Sequence, residues 1–498
     1  MIRLIVTVFG IVCFSFTVLQ YSALLVCATL SGRLLRDNRA GRRPVALVKI
    51  ATDRTMPGVS VIMPAYNEEK VITHTTVSAL AQEYPHIEVI VVNDGSKDAT
   101  LQVLIDHFHL EPYDTDPPPG PIPTEQVRAI YRSRTEPRIV VIDKAPSGAK
   151  ADGANAGINA ASYPWVVVMD ADEFMERDTI ARCMVEVVAA PDTTAMVGGT
   201  LLPANDIVID GPNILERHPP RNYWVGCQLI EYLTAFLVAR PGLSSVRAMP
   251  IVSGGFGLFR RDAVVAVGGY RRGHLGEDMD MCLRVQRDLA DRGEECRVVQ
   301  VPESLCWTEF PQTKDVLRRQ RIRWHRGLKM IMSDHRSMIG RKRYGPVGTV
   351  GVGSLFVFEW LGPILEAIGW LMIVGLCLAG WVDPQAAFAV FLTTQLIGMA
   401  LTMLSVAIMT RYLQTFTRRS DVLRLFGWAV AMNWGYRQLT LVWRIRSLFP
   451  GATGWGEMPR SGFKTNPTAA TPGVVTPGHG RCLNTPDSSN RLAVQSPR

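Results

Sequence analysis

The sequence predicts an α/β protein in which a soluble domain with a largely parallel β-sheet is flanked by transmembrane helices. Apolar residues concentrate near the two ends of the 498-residue chain, whereas the part from Met56 to Arg343 has the mixed composition of a soluble protein. Within this middle part, short runs of β-branched residues alternate with amphipathic stretches, a pattern typical of alternating strands and helices. At about 150 residues per domain, the length allows two or three units.

Composition and charge narrow the class of protein. Hydrophobic residues make up 47% of the chain and charged residues 20%, between the values of soluble and membrane proteins. Much of the net charge of +8 lies beside the apolar segments, in Arg33, Arg36, Arg39, Arg42, Arg43, Arg341, Lys342, Arg343, Arg418 and Arg419. An anionic membrane surface favours such clusters, and no nucleic-acid-binding motif accompanies them. We therefore predict contact with a lipid membrane and no nucleic acid partner. None of the nine cysteines forms a C-x-x-C pair, which indicates reduced thiols rather than a zinc site.

The first apolar segment predicts a membrane anchor. Leu4 to Leu30 is nearly continuously apolar and long enough to cross a hydrocarbon core of about 30 Å. A signal peptide is the alternative, because Arg3 supplies a charged start, but its apolar region normally runs only about 7–15 residues. The arginines that follow should hold the far end of the segment in the cytosol. We interpret residues 1–35 as an uncleaved anchor and 36–56 as a basic linker.

Residues 57–342 predict the soluble domain. The predicted strands are Val59–Met63, Ile87–Val92, Arg138–Ile142 and Trp165–Met169, and the helices between them are Glu68–Ala81, Lys97–Phe108 and Ala149–Ala161. This order predicts a parallel sheet covered on both faces, with the ligand at the carboxyl ends of the strands. The Pro- and Asp-rich stretch from Leu110 to Pro123 reads as an exposed loop without a catalytic role.

Residues 343–450 predict a second membrane region. Val347 to Val382 is longer than one crossing needs, so we expect an interfacial helix followed by a crossing near Leu361 to Val382. Ala386 to Thr410 predicts another crossing. The link between the two crossings, Asp383-Pro384-Gln385, carries no cation and would therefore face outward. Val422 to Val442 is interrupted by arginine, which is costly deep in lipid, and it can cross, re-enter or lie at the surface.

The tail at 451–498 is rich in Pro, Thr, Ser, Asn and Gly and is predicted to be mostly disordered. The whole arrangement predicts a multi-pass protein of the plasma or inner membrane whose α/β domain faces the cytosol.

Two of the predicted strands end in turns suited to a nucleotide. Pro64, Ala65 and Tyr66 follow the first strand, and such a turn can offer backbone groups to a flat base. Asp94 follows the second strand, where a carboxylate can accept hydrogen bonds from a base N–H and from ribose hydroxyls. The alternative is that Asp94 only caps the helix that begins near Lys97.

The strand Trp165–Met169 releases two carboxylates, Asp170 and Asp172, one residue apart. Together they can hold a hard cation, Mg²⁺ or Mn²⁺, which also binds the oxygens of a diphosphate. Upstream, Lys150 lies at a predicted helix start, where it can meet a phosphate or sugar oxygen. A solvated surface lysine is the competing interpretation.

Two further motifs follow these strand-end residues along the chain and narrow the choice of protein family. Gly276-Glu277-Asp278-Met279-Asp280 resembles a Thr-Glu-Asp motif, and Gln320-Arg321-Ile322-Arg323-Trp324 fits Gln-x-x-Arg-Trp. With these, the sequence resembles the family-2 glycosyltransferases, in particular the processive membrane synthases of cellulose, chitin, hyaluronan and bacterial poly-N-acetylglucosamine. The resemblance covers about Pro57 to Lys342, and Gly435 to Leu439 is similar to a stretch in the poly-N-acetylglucosamine type. It implies a GT-A, Rossmann-like nucleotide-sugar-binding fold for residues 57–342.

The resemblance implies a role for each matched residue. Asp278 would be the catalytic base, and Asp170 and Asp172 would hold the metal. The donor site would comprise Pro64, Ala65, Tyr66, Glu68, Asp94, Lys150, Asp170 and Arg323. The acceptor site would comprise Gly254, Gly255, Glu277, Gln320 and Trp324. Two departures stand out: Gly276 replaces the usual threonine, and Gly153-Ala154 replaces Ala-Leu after Lys150.

The chemistry of the residues agrees with these roles. Glu277 and Asp280 are acidic neighbours that would raise the pKa of Asp278 towards that of a useful base, although an acidic first helical turn is the alternative. Trp324 offers a flat face for a sugar ring, with simple core packing as its alternative. Arg323 stands out from a dense basic run whose other members face solvent or membrane.

The function predicted is inverting transfer of a hexose or N-acetylhexosamine from a UDP-sugar, UDP-N-acetylglucosamine or UDP-glucose, to a growing polysaccharide. The product would thread out through the membrane helices, and the sparse membrane region leaves room for a small partner subunit. Two alternatives stay open. One is a single transfer to a lipid or oligosaccharide acceptor, and the other is a catalytically silent membrane scaffold or regulatory subunit.

Overall fold

The computed structural model describes residues 2–39, 42–113, 120–413, 415–451 and 462–465. The predicted disordered tail therefore lies almost entirely outside the described residues, as does the centre of the predicted loop between Leu110 and Pro123. The two ends of that loop are ordered: residues 110–112 form a short strand, and Ile122 is buried.

A ten-stranded mixed sheet organises the soluble domain. Its strands, with those of a small second sheet, are β1 (Val59–Ala65), β2 (Ile87–Asn93), β3 (Leu110–Pro112), β4 (Val127–Ser133), β5 (Ile139–Lys144), β6 (Trp165–Met169), β7 (Glu173–Met175), β8 (Thr194–Pro203), β9 (Ile207–Asp210), β10 (Asn213–Arg217), β11 (Phe256–Arg260), β12 (Arg297–Thr308) and β13 (Lys464–Thr465). The order in the large sheet is β3-β4-β5-β2-β1-β6-β11-β8-β12-β7. Strands β5, β2, β1 and β6 run parallel, and β11 is antiparallel to β6. The four strands predicted from the sequence form this parallel centre, each within two residues of its predicted bounds.

Burial on both faces explains the continuous apolar runs of these strands. Along β1, Val59, Val61 and Met63 pack into one hydrophobic cluster with α3 and α6 (ranges below), whereas Ile62 points to the other face and packs against α5. All four side chains are 0% exposed. A strand covered on both faces needs apolar residues at consecutive positions rather than alternation, which is the pattern that the sequence carries.

The helices are α1 (Ile2–Arg39), α2 (Arg42–Thr52), α3 (Ile72–Leu80), α4 (Thr100–Phe108), α5 (Lys150–Ala160), α6 (Thr179–Ala189), α7 (Tyr223–Thr234), α8 (Arg240–Ser245), α9 (Arg261–Ala266), α10 (Glu277–Asp291), α11 (Lys314–Asp334), α12 (Val352–Ser354), α13 (Gly362–Leu378), α14 (Pro384–Ile408), α15 (Arg419–Ala431) and α16 (Arg437–Ser447). A π-helical stretch, Ala235–Ala239, joins α7 to α8. Much of the predicted basic linker is helical, as α2.

Helices α3 and α4 begin three to four residues later than the sequence predicted. The loops before them are tied to each other, so those residues cannot enter the helices. The Asn67 amide donates to Ser96 Oγ at 3.0 Å, and the Lys97 amide donates to Asn67 Oδ1 at 2.8 Å. Asn67 has a left-handed backbone (φ 57°), which asparagine tolerates better than most residues.

Three helical segments among the described residues are long and apolar enough to cross a membrane: Thr7–Arg36, Val347–Leu378 and Pro384–Leu413. The α/β domain is thus flanked by one such helix near the N-terminus and two in the C-terminal part. The second segment is one continuous helix in which π-helical turns surround α12. The predicted division into an interfacial part and a crossing stays a prediction. A single helix satisfies every backbone group without an exposed break.

Residues 419–447 form a broken helical hairpin, and they are not among the segments that could span a membrane. Helix α15 runs beside α14, where Asn433 donates to Thr402 Oγ1 at 3.2 Å. The chain then reverses at Gly435, whose φ of 96° suits glycine. Helix α16 returns to the soluble domain, where Arg326 of α11 donates to the Ser447 and Phe449 carbonyls at 3.4 and 3.1 Å. The three alternatives for Val422 to Val442, which are crossing, re-entry and a position at the surface, stay predictions.

Candidate active site

The peptide groups of Gly254 and Gly255, here called the glycine junction, bring three distant segments together just before β11. The Asp170 amide donates to the Gly255 carbonyl at 2.9 Å. The Gly254 amide donates to Asp278 Oδ2 at 2.9 Å, and Lys150 Nζ donates to the Gly254 carbonyl at 2.6 Å. The end of β6, the start of α5 and the first turn of α10 thus meet at one place, as the sequence predicted for Asp170, Lys150 and Asp278.

Both glycines are required by close approach. A Cβ on Gly254 would lie 3.0 Å from Asp278 Oδ2, and a Cβ on Gly255 would lie 2.1 Å from Glu173 Oε1. Any side chain at the glycine junction would therefore push a carboxylate away. The sequence assigned Gly254 and Gly255 to the acceptor site. In the structure this loop also holds Asp278, the predicted base.

Asp278 is held from two sides in the first turn of α10. Its Oδ1 accepts from the Met279 amide at 2.8 Å, and its Oδ2 accepts from the Gly254 amide. The positive end of the helix dipole favours an anion at this position. The predicted alternative, an acidic first turn, is thus present together with the arrangement a base needs, because each oxygen keeps a second lone pair.

The raised pKa in this turn belongs to Glu277. Burial, and then the neighbouring Asp278 carboxylate, raise the pKa of Glu277 from 4.5 to about 7. The positive charges of Lys150 and Arg323 act against this rise. Burial alone would lower the pKa of Lys150, but the carboxylates of Asp170 and Glu277 outweigh it and raise that pKa.

Asp280 does not serve as the acidic neighbour of Asp278 that the sequence suggested. Its fully buried carboxylate points to the other side of α10, where His335 Nε2 lies 2.9 Å from Oδ1 and Arg284 donates to Oδ2 at 2.8 Å. Burial alone would raise the pKa of Asp280, but these partners lower it to about 2. The role of Asp280 is therefore to fix the start of α10.

The Asp-x-Asp pair at the end of β6 has one open and one buried carboxylate. The Asp170 side chain is 38% exposed and forms an ion pair with Lys150. Asp172 is buried, and Thr308 Oγ1 donates to its Oδ2 at 3.2 Å. The ion pair with Lys150 means that a cation already lies against Asp170, which contradicts the interpretation of Lys150 as a solvated surface residue.

A second group of metal-ligand type lies beside this site. His274, Asp280 and Asp334 are the only three such side chains among the described residues whose ligand atoms lie within 4.8 Å of one another. However, Arg271 lies 3.4 Å from both carboxylates, and Arg284 also pairs with Asp280. Basic side chains thus already pair with this group, as Lys150 does with Asp170, so ion pairing does not decide between the two places as a cation site.

The turn after β1 forms the other end of the cleft. A Cβ on Gly153 would lie 3.1 Å from Pro64 Cβ, so the departure at Gly153 lets α5 pack closely against this turn. The Ala65 carbonyl accepts from the Asp94 amide at 2.9 Å, which brings the two predicted base-binding segments together. Tyr66 is 49% exposed, and the Glu68 amide is held by Thr100 Oγ1 at 2.8 Å.

Helix α11 carries Gln320, Arg323 and Trp324 towards the same place. One turn after Arg323, a Cβ on Gly327 would lie 2.9 Å from the Leu275 carbonyl oxygen, so α11 crosses the residues just before Glu277. Gln320 and Arg323 are half-buried, and Trp324 is 38% exposed. Trp324 is therefore not simple core.

The sequence missed the residue that holds Trp324. The Arg321 guanidinium lies 4.5 Å from the centre of the Trp324 ring, a distance typical of a cation–π contact. Arg321 is itself fixed by Glu231 at 2.7 Å and by the Tyr436 hydroxyl at 3.4 Å. Because Glu231 lies on α7 and Tyr436 just before α16, only the folded structure could reveal this cluster.

A small cleft lies between these elements. Its lining includes Lys150, Gly254, Tyr270, Glu277 and Asp278. The predicted base, the predicted phosphate-binding lysine and Gly254 of the glycine junction thus share one cavity.

Comparison with known proteins agrees with this geometry. The profile of "Glycosyl transferase family 2" matches residues 60–118, and that of "Glycosyltransferase like family 2" matches residues 124–327. Together they cover more than half of the chain and include every predicted site residue.

Two relatives are poly-beta-1,6-N-acetyl-D-glucosamine synthases. The one from Staphylococcus aureus (strain COL) is 25% identical over 315 residues, 63% of this chain and 65% of the relative. The one from Staphylococcus epidermidis is 26% identical over 318 residues, 64% of this chain and 63% of the relative. The match thus spans slightly less than two thirds of each relative's length.

A solved structure shares the fold. The mannosyltransferase PcManGT from Pyrobaculum calidifontis, in complex with GDP-Man and Mn²⁺, superimposes with a TM-score of 0.52 at 18% identity, over 87% of this chain and 99% of that one. The mixed sheet with its parallel centre is therefore a GT-A fold. From its fold, its site motifs and its sequence matches, the chain belongs to the family-2 glycosyltransferases.

Proposed function

We propose that this protein is a membrane-bound inverting glycosyltransferase that moves N-acetylglucosamine from a UDP-sugar to a growing polysaccharide. The observation that carries the proposal is the convergence of Asp170, Lys150 and Asp278 on the glycine junction. The similarity to the staphylococcal poly-beta-1,6-N-acetyl-D-glucosamine synthases supports a poly-N-acetylglucosamine product. The other predicted donor, UDP-glucose, has no such support.

The transfer requires one proton acceptor and one stabilised leaving group. Asp278 would take the proton of the acceptor hydroxyl, whose oxygen then bonds to the anomeric carbon while the bond from that carbon to the UDP oxygen breaks. The Gly254 and Met279 amides keep the Asp278 carboxylate in place for this step. Lys150 and Arg323 would offset negative charge on the departing UDP.

The Asp170 and Asp172 carboxylates suit a divalent metal, because Mg²⁺ and Mn²⁺ prefer oxygen ligands and accept diphosphate oxygens beside them. When bound, the metal would stabilise the charge on the UDP leaving group. The Asp170 side chain is 38% exposed, and its partner Lys150 lines the cleft.

The remaining predicted residues would complete the two substrate sites. Pro64, Ala65, Tyr66 and Glu68 would border the nucleoside, and Asp94 would accept from the base. Glu277, Gln320 and Trp324 would border the acceptor, with Trp324 stacking on a sugar ring. Glu277 lines the cleft, and the hydrogen bond from the Asp94 amide to the Ala65 carbonyl joins the two nucleoside-binding segments, which supports these roles.

The apolar helices support a place in the plasma or inner membrane, with the α/β domain in the cytosol where nucleotide sugars are made available. The three helices among the described residues that could cross a membrane are few for a glycan path, so a small membrane partner subunit is part of the proposal. Single transfer to a lipid or oligosaccharide and a catalytically silent scaffold are the alternatives that experiment must exclude.

The decisive test uses the purified full-length protein in lipid nanodiscs with a panel of labelled nucleotide sugars, with and without Mn²⁺ or Mg²⁺. We expect metal-dependent incorporation from UDP-N-acetylglucosamine into a product of many sugars. A product with one added sugar would overturn polymer synthesis, and no turnover of any donor, with or without membrane extract to supply a partner, would favour the scaffold.

A further inference from the structure

Three of the four hydrogen-bonding positions of the Asp94 carboxylate are already occupied by the protein. Oδ1 accepts from Lys144 Nζ and from the Ser147 amide at 3.1 Å. Oδ2 accepts from the Ser147 hydroxyl at 2.7 Å. Because a carboxylate has about four lone-pair sites, one position remains, and it lies on Oδ2.

The occupying groups are rigid. Lys144 is fully buried, and its ammonium group also contacts the Ala145 carbonyl at 2.8 Å and the buried Asp152 carboxylate at 2.7 Å. Asp152 is in turn paired with Arg272. The lysine therefore cannot leave Asp94 without exposing two buried carboxylates to each other, which is costly.

We infer that Lys144 and Ser147 are positioning residues that make Asp94 select uracil over guanine. This inference rests on the proposed role of Asp94 as the base contact. Uracil presents one ring N–H, which the remaining lone pair on Oδ2 can accept. Guanine presents two adjacent N–H groups and needs two free acceptor positions, but only one remains on the carboxylate, on Oδ2. One N–H group of guanine would stay unpaired in the site, and such a group weakens binding substantially.

Lys144 and Ser147 lie outside the motifs recognised in the sequence. Lys144 ends β5 and Ser147 precedes α5, so neither belongs to the Asp-x-Asp, Glu-Asp or Gln-x-x-Arg-Trp segments. Their side chains reach Asp94 because β2 and β5 are parallel neighbours whose ends lie side by side, with Asn93 paired to Asp143.

Ser147→Ala is the informative variant, since it frees the second position on Oδ2 while leaving the Lys144 network intact. Lys144→Met would strand two buried carboxylates and can fail to fold. The measurement is displacement of labelled UDP by UDP and by GDP from full-length protein in detergent, with Mn²⁺ present. Both nucleotides carry the same diphosphate, so the ratio of their affinities reports on the base alone.

We expect the wild-type protein to prefer UDP, and Ser147→Ala to reduce this preference roughly tenfold by improving GDP binding relative to UDP. Ser133→Ala is the matched control: its hydroxyl accepts from the Thr135 and Glu136 amides, far from Asp94 in sequence and at the end of another strand. The preference should be unchanged in this control.

An unchanged ratio in Ser147→Ala, whether or not both affinities fall, would overturn the inference, as would a wild-type protein that binds the two nucleotides equally. Asp94→Asn separates this outcome from a failure of the proposed function. If Asp94→Asn leaves UDP binding intact, Asp94 is not the base contact and the donor site itself is misplaced. If it abolishes UDP binding while Ser147→Ala keeps the wild-type ratio, only the selectivity inference fails.

Discussion

The amide of Gly254 donates a hydrogen bond to the Asp278 carboxylate across 2.9 Å, which joins the loop before β11 to the first turn of α10. A backbone donor cannot rotate away as a side chain can, so the predicted base has a fixed direction. Preorganisation of this kind is what lets a catalytic group act without rearranging during the reaction.

Asp278→Asn should lower kcat for sugar transfer by about 10²- to 10⁴-fold, because a carboxamide cannot take the acceptor proton. UDP binding should stay within a few-fold of wild type, since Asp278 is not placed on the nucleotide. Asp288→Asn, on the same helix and paired with the exposed Arg292, is the control and should be fully active. Unchanged donor turnover in Asp278→Asn would mean that the base lies elsewhere.

Gly254→Ala should lower activity while leaving the fold in place. The added methyl would lie 3.0 Å from Asp278 Oδ2, tighter than a relaxed contact, so the carboxylate must turn. We expect roughly a tenfold loss of kcat or more, since small misplacements of reacting groups are costly. Gly427→Ala is the control because a Cβ there meets nothing within 4 Å. Equal activity of the two variants would contradict a positioning role for the glycine junction.

Glu277→Gln should change how stability depends on pH. Below pH 4.5 the carboxyl group is protonated in both the folded and the unfolded state, so it costs nothing. Between pH 4.5 and the folded-state pKa of about 7, the unfolded chain releases this proton while the folded protein still holds it. The free energy of unfolding therefore falls across this range and stays lower above it. Each unit of pKa difference is worth about 1.4 kcal/mol, and partial exposure reduces the effect to roughly 1–2 kcal/mol.

Thermal unfolding of the purified protein at pH 5 and pH 8.5 measures this effect. Glu277→Gln should melt higher than wild type at pH 8.5, with little difference at pH 5. The exposed Glu295, paired with Arg247, provides the control Glu295→Gln, which should follow the wild-type profile. A variant that gains equally at both pH values would show that the charge of Glu277 is not the cause.

Arg321→Lys should impair the acceptor site more than the donor site. Lysine keeps the charge near Glu231 but loses the planar group over Trp324. The contact is worth about 0.5–2 kcal/mol, so we expect KM for an oligosaccharide acceptor to rise several-fold and KM for the donor to hold. Arg318→Lys, an exposed change on the same helix, is the control. An equal rise in both KM values would indicate a general disturbance of α11.

Chelation should remove activity, and Mn²⁺ or Mg²⁺ should restore it. Asp170→Asn and Asp172→Asn should each lose the metal-dependent part of UDP binding, because the carboxylates are the predicted ligands. Asp334→Asn tests the neighbouring group with His274 and Asp280, and it should keep normal metal dependence. The opposite pattern would move the metal site to that group.

The strands and the carboxylates at their ends were easier to predict from the sequence than the contacts that hold those carboxylates in place. The parallel strands β1, β2, β5 and β6 were predictable because burial on both faces requires unbroken apolar runs, and the carboxylates at their ends follow directly from that order. The predicted influence of Asp280 on Asp278 was wrong because the side chains that pair with a carboxylate decide where it points. One of these partners, His335, lies 55 residues away in the chain.

Long-range side-chain contacts determine the features that the sequence did not predict. The late starts of α3 and α4 follow from Asn67, which is hydrogen-bonded to the loop after β2. A local sequence pattern cannot reveal such contacts. The clamp on Trp324 needs Glu231 and Tyr436, which come from helices on either side of the membrane segments. Lys144 and Ser147 reach Asp94 only through the pairing of β2 and β5.

The hairpin of α15 and α16 connects the predicted acceptor site to an apolar helix. It contacts Thr402 of α14 at its bend and α11 at its end, so the helix that carries Trp324 is fastened to a helix long and apolar enough to cross a membrane. We expect turnover to depend on the thickness and lateral pressure of the lipids in which the whole protein is reconstituted. The α/β domain expressed alone would lack this connection.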